Sequence, residues 1–110
     1  MNALPDTLAV SHPFPGLTRR VLTCTKESML VEHWMEAGSV FPWHSHPHEQ
    51  TVFVLEGELI VETEEGGVVQ QWRASGGDSW VVPGGVPHRV TAVQVARVLD
   101  FFTPFREDYL

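Results

Sequence analysis

The chain has 110 residues, 43% of them hydrophobic and 19% charged, which is enough for one domain with a real core and too short for two. Seven Lys+Arg against fourteen Asp+Glu give a net charge of −7, which argues against nucleic acid or an anionic membrane as partner, since both require a basic face. A single cysteine, Cys24, excludes an intrachain disulfide and a thiolate metal cluster.

The first residues, MNALPDTLAV, lack the basic start and apolar run of a secretory signal. No apolar stretch reaches membrane-spanning length, so a cytoplasmic protein is expected. Residues 1–18, with Pro5, Pro13, Pro15 and Gly16, read as an extended arm lying outside the domain or reaching a partner subunit. Residues 19–110 form the domain proper. Short β-rich runs follow at 20–25, 29–35, 51–55, 58–63, 68–72, 79–82, 88–93 and 95–102. Turn residues separate them, among them Glu64-Glu65-Gly66-Gly67, Ser75-Gly76-Gly77 and Pro83-Gly84-Gly85. This spacing predicts an all-β sandwich or barrel. In 58–63, Leu59 and Val61 face one way, and Glu58, Ile60 and Glu62 the other. Pro104 ends the last run, and the tail after it is expected to form one helical turn over a barrel opening.

Between the second and third runs lies His44-Ser45-His46-Pro47-His48-Glu49-Gln50. On a strand, His44 and His46 share a face at about 7 Å backbone separation. Gln50 has the parity of Val52 and Val54, so it faces inward if they do, and Glu49 then faces outward unless a bulge intervenes. Pro83-Gly84-Gly85 turns the chain and delivers His88 from another strand. Three imidazoles and an oxygen donor can fix one first-row divalent metal while leaving positions open for a ligand. A histidine pair alone is a weak signal; its weight comes from the glycines and prolines at fixed offsets in both segments. His48 reads as solvent-facing or as a support behind the ligands, and His12 and His33 as non-ligands.

The two segments resemble the paired motifs of the cupin superfamily, G-x5-H-x-H-x3-E-x6-G and G-x5-P-x-G-x2-H-x3-N. The first is matched by Gly38, His44, His46 and Gly57, with Gln50 where Glu is usual. The second is matched by Gly77, Pro83, Gly85 and His88, with Ala92 where Asn is usual. The resemblance implies an all-β double-stranded β-helix, a jelly-roll barrel, with one divalent metal held by His44, His46, Gln50 and His88. A three-histidine site without Gln50 remains the alternative. A neutral glutamine would leave the ion its full dipositive charge and favour anionic chelating ligands. Nickel, zinc, iron, manganese and copper all suit such donors.

The end of the chain, from Asp100 to Leu110, resembles a small bacterial cupin family of pectin and alginate breakdown that finishes D-x-F-S-P-P-R-E-D-F/Y-L. Thr103 and Phe105 depart from that pattern. The resemblance implies conversion of cyclic 4,5-unsaturated monouronates to linear keto forms, with Asp100, Phe102 and Arg106 as the catalytic and substrate-contact set. Asp100 suits a general base that later protonates C4, Phe102 a wall against the sugar ring, and Arg106 a fork for the carboxylate. The plainer readings pair Asp100 with Arg97 or Arg89 at a barrel rim, and Arg106 with Glu107 or Asp108 in the tail. Rival functions are a metal-dependent dioxygenase and a non-enzymatic sugar-acid binder. The proline-rich arm and four tryptophans point to a homodimer.

Overall fold

The computed structural model describes residues 10–110; residues 1–9, half of the expected arm, lie outside the described residues. Ten strands follow in order: β1 (Val10–Ser11), β2 (Leu17–Cys24), β3 (Met29–Met35), β4 (Val40–His44), β5 (Glu49–Glu56), β6 (Glu58–Glu65), β7 (Val68–Ser75), β8 (Ser79–Val82), β9 (His88–Ala92) and β10 (Ala96–Thr103). They form two antiparallel sheets, one ordered β1-β2-β3-β10-β5-β8 and the other β4-β9-β6-β7. A short 3-10 turn at Glu107–Tyr109 ends the chain, as expected of the tail. No helix among the described residues is long and apolar enough to cross a membrane.

Side-chain alternation explains why these segments pair face to face. In β3, Met29, Val31, His33 and Met35 are buried, while Trp34 on the other face is exposed. In β6, Leu59, Val61 and Thr63 are buried, the predicted parity carried two residues further. Leu17, the first residue of β2, sits in the core, so the barrel takes up the chain two residues before the expected domain start.

The interior is layered. One apolar cluster holds Leu17, Met35, Val52, Val54, Leu59, Val61 and Val98 among others. A smaller one holds Val21, Met29, Val31, Phe102 and Tyr109. Between them the four central strands of the larger sheet change character at one inward position each: Arg19 on β2, His33 on β3, Asp100 on β10 and Gln50 on β5. The barrel therefore carries a polar layer across its middle.

β4 was not among the predicted runs, and it contains Pro42. It is tolerated because β4 lies at the edge of its sheet, where a missing N–H is harmless. The ladder also slips here: Phe41 pairs with Val90, but His44, not Trp43, pairs with His88. The extra residue is a β-bulge, and it turns His44 to the same inward face as Phe41. His46 lies beyond the strand, in the loop to β5, so loop geometry rather than strand alternation sets its position.

That loop is clamped by the second motif. Val86 N–H donates to Pro83 O at 3.2 Å, closing a turn whose third residue, Gly85, has φ 82°. Gly85 N–H donates to His46 O at 2.7 Å. A Cβ on Gly84 would overlap the carbonyl oxygen of Pro47. Gly84→Ala should therefore push the His46 loop off the turn, at about 1–3 kcal/mol of stability. Thermal unfolding and metal titration check this; a variant that melts and binds metal like the parent would show that the clamp does not matter.

Candidate metal centre and active site

His44, His46 and His88 place one ring nitrogen each within 4.8 Å of one another, the single such cluster of three found among the described residues. Each ring is oriented by a backbone carbonyl on its far side. Nδ1 of His44 meets Pro42 O at 2.7 Å, Nδ1 of His46 meets His48 O at 3.0 Å, and Nδ1 of His88 meets Val86 O at 2.9 Å. A carbonyl only accepts, so each Nδ1 carries the hydrogen and each Nε2 keeps its lone pair. Burial lowers the pKa of all three rings, that of His88 to about 4, so they stand neutral at ordinary pH. His48 thus contributes through its carbonyl, a support behind the ligands.

Two details fit a cation. His88 Nε2 is buried without a hydrogen-bond partner. His46 Nε2 lies 3.0 Å from Gln50 Oε1. The orientation of Gln50 is fixed from its other end, where Nε2 donates to Asp100 Oδ1 at 2.7 Å. Two lone pairs thus face each other across 3.0 Å, an arrangement that repels unless a positive centre lies between them or beside them. The donor set suits a divalent transition metal held by His44, His46, His88 and Gln50. Glu49 is exposed, as its parity predicted.

Asp100 lies beside this cluster. It is 4% exposed, and its Oδ2 takes a 2.6 Å hydrogen bond from His33 Nδ1. Arg19 Nε in turn donates to His33 Nε2 at 3.0 Å. The plain rim pairings of Asp100 do not occur: Arg89 pairs with Glu62, and Arg97 with Glu32 and Glu56. Asp100, Gln50, His33, His44, His88 and Tyr109 all line one internal cavity, whose remaining wall is mostly apolar.

Arg106 and Phe102 are near but do not line that cavity. Phe102 is 1% exposed, its ring 5.6 Å from that of His46 and 5.4 Å from that of Tyr109. Arg106 is buried, and its Nε and one terminal nitrogen grip Asp108 at 3.1 and 2.7 Å. Its other terminal nitrogen donates to Tyr109 Oη at 3.2 Å. Arg106 lies 4.2 Å above the Tyr109 ring, and Arg19 lies 3.5 Å from the same ring. An acidic protein thus gathers two buried guanidiniums at one end of its cavity. Nearby Arg106 adds to the lowering of the His44 and His46 pKa values.

Sequence reading missed Arg19, His33 and Tyr109. The signal for the first two was available: each is a polar residue on the inward parity of an apolar strand, Leu17-Arg19-Val21 and Val31-His33-Met35.

Neutral, buried histidines make stability depend on pH with a definite sign. The unfolded chain takes up protons near pH 6.5, whereas His88 in the fold resists them until about 4. Stability is therefore full above pH 6.5 and is lost as the pH falls toward 4, by roughly 3 kcal/mol for His88. His44 and His46 act in the same direction. Denaturant unfolding of chelator-treated protein from pH 8 to 4.5 should show this fall, and His88→Gln should flatten it; a flat profile for the parent would contradict buried neutral rings.

Residues 31–102 match the family described as Cupin domain. KdgF from Halomonas sp. matches at 30% identity over 100% of both chains, with a TM-score of 0.86. An RmlC-like cupin from Shewanella frigidimarina NCIMB 400 matches at 30% identity over 100% of this chain and 96% of that one, with a TM-score of 0.83. A mutant of oxalate decarboxylase from Bacillus subtilis shares the fold at 21% identity and a TM-score of 0.82, over 90% of this chain and 28% of that one. No curated protein matches the sequence. With its two-sheet jelly roll, its paired motifs and this match across most of its length, the chain belongs to the cupin family.

Proposed function

We propose that the protein opens the ring of 4,5-unsaturated monouronates and yields their linear keto forms, using one divalent metal at His44, His46, His88 and Gln50. The observation that carries this reading is Asp100: a buried carboxylate, fixed at both oxygens, lining the same cavity as His44 and His88 of the histidine cluster. The resemblance of the chain's ending to the uronate-linearising cupins and the end-to-end likeness to KdgF support it.

The reaction needs a proton moved and no oxidant. Asp100 takes the proton of the anomeric hydroxyl, C1 becomes a carbonyl, and the bond from C1 to the ring oxygen breaks. The electron pair stays on that oxygen, now an enolate at C5. Asp100 returns the proton to C4, and C5 becomes a ketone. A bound divalent metal supplies positive charge that stabilises the enolate oxygen. The local cationic field from Arg19 and Arg106 draws in the substrate carboxylate despite the chain's acidic balance.

Arg106 is already gripping a carboxylate, that of Asp108. We read Asp108 as the group that the substrate carboxylate replaces. The tail that carries Tyr109 moves with that exchange, and Phe102 then comes into contact with the sugar. Until then Tyr109, and not Phe102, lines the cavity at this end.

Proton NMR of a lyase-generated unsaturated uronate, with and without protein, tests the reading. Ring opening should accelerate, under anaerobic conditions and with zinc in the site. An unchanged rate would end the enzymatic reading, and oxygen uptake would point to a dioxygenase. Asp100→Asn should lower kcat by about 10²–10⁴-fold with metal content intact; retained activity would remove Asp100 from the chemistry. If Arg106 is the clamp, Asp108→Ala should lower KM and Arg106→Lys should raise it about tenfold. Unchanged KM values in both would show that Arg106 does not touch substrate.

A further inference from the structure

One oxygen of Asp100 is held by Gln50 of the first motif, the other by a chain of residues that neither cupin motif contains. Arg19 and His33 stand directly opposite each other on β2 and β3. Val98 of β10 pairs with His33, so Asp100 is its diagonal neighbour on the same inward face. All three polar residues are buried, at 8%, 4% and 4% exposure for Arg19, His33 and Asp100.

The hydrogens in this chain can run only one way. Arginine has donors and no acceptor, so Arg19 Nε–H at 3.0 Å makes His33 Nε2 the acceptor. The remaining ring hydrogen then sits on Nδ1 and is donated to Asp100 Oδ2 at 2.6 Å. The ring cannot turn freely, because Phe41 and Tyr109 both meet it edge-on, at centroid distances of 5.4 and 6.2 Å. Gln50 holds the other oxygen of Asp100 at 2.7 Å. A carboxylate held at one oxygen can rotate about its last bond; one held at both has its plane set.

We propose that Arg19 and His33 are the positioning residues of Asp100, with Arg19 fixing the His33 tautomer and His33 setting the carboxylate plane that faces the cavity. The pair does more than hold. His33 Nδ1 already bears a hydrogen and its Nε2 lone pair is occupied by Arg19, so a proton received by Asp100 has no onward path into the protein. It remains on the carboxyl for return to the substrate. In the common histidine–aspartate pair the carboxylate orients the base; here the imidazole orients the carboxylate.

The consequence for turnover rests on the proposed function, whereas the consequence for the tautomer does not. Nitrogen-15 NMR of histidine-labelled, zinc-loaded protein should show His33 protonated at Nδ1 and bare at Nε2, its signals assigned by their loss in His33→Leu. Arg19→Met should release this state into a mixture of tautomers. A parent spectrum with hydrogen on Nε2, or an Arg19→Met spectrum identical to the parent, would overturn the proposal whether or not the protein acts on uronates. In turnover, His33→Leu should lower kcat about 10–100-fold, the usual range for an outer support, with KM and bound metal unchanged. His33→Asn, whose amide N–H can replace Nδ1–H, should recover most of that loss. Equal kcat in the Leu and Asn variants would reduce His33 to a packing residue. Should the parent show no turnover, the functional reading falls and the spectra alone decide the positioning claim.

Discussion

A charged carboxylate in the middle of a barrel is costly unless each oxygen is paired, and Asp100 meets that condition with two donors, His33 Nδ1–H and Gln50 Nε2–H. Those two hydrogen bonds set the direction of everything joined to them. Arg19, which can only donate, closes one end. Gln50, with its amide nitrogen committed to Asp100, must present its oxygen to His46 at the other. Gln50 therefore stands between the two groups, hydrogen-bonded to Asp100 and turning its oxygen to the histidine cluster. A change at Asp100 reaches the metal site through the orientation of Gln50, and a change at Gln50 reaches the carboxylate.

The two apolar layers make this unit stiff. The larger cluster, around Leu59, Val61 and Val98, fills one end of the barrel, and Val21, Met29, Val31, Phe102 and Tyr109 close the other. The polar layer is thereby shielded from water, which strengthens each of its hydrogen bonds and raises the cost of leaving any one unmade. Burial also keeps the three clustered imidazoles unprotonated. Their lone pairs thus stay free of competing protons down to mildly acid pH. The same burial that costs stability in acid prepares the site for a cation.

Much of this was legible in the sequence, for a physical reason in each case. His44, His46, Gln50 and His88 stood out because glycines and prolines at fixed offsets force turns around them, as at Gly84 and Gly85. Asp100 and Phe102 were placed on one face by strand alternation, and both are buried there. The same alternation marks Arg19 and His33 as polar residues among inward apolar ones, but each has meaning only through a partner on another strand. Arg19 and His33 are 14 positions apart, and His33 and Asp100 are 67. One strand's pattern cannot reveal a pairing across three. Pro42 fits within β4 only because that strand lies at an edge, and edge position is a property of the sheet. The bulge that aims His44 inward is likewise visible only as a slip between two strands.

The tail sets positive charge beside this unit. Arg106 and Arg19 flank Tyr109, and together they place two positive charges beside a cavity in a protein of net charge −7. One partner for that charge is Asp108, whose own carboxyl is held below the usual range by its hydrogen bonds to Arg106. Asp108 is exposed and lies two residues from Arg106 on the same short turn. Asp108 is the exposed member of this pair and Arg106 the buried one, so water competes for the carboxylate but not for the guanidinium. The buried guanidinium needs a carboxylate partner, and the proposed substrate would supply one in place of Asp108. The difference between the fixed Asp100 and the exchangeable Asp108 is one of burial. The first is enclosed and held at both oxygens; the second sits at the surface, as the proposed exchange with a substrate carboxylate requires.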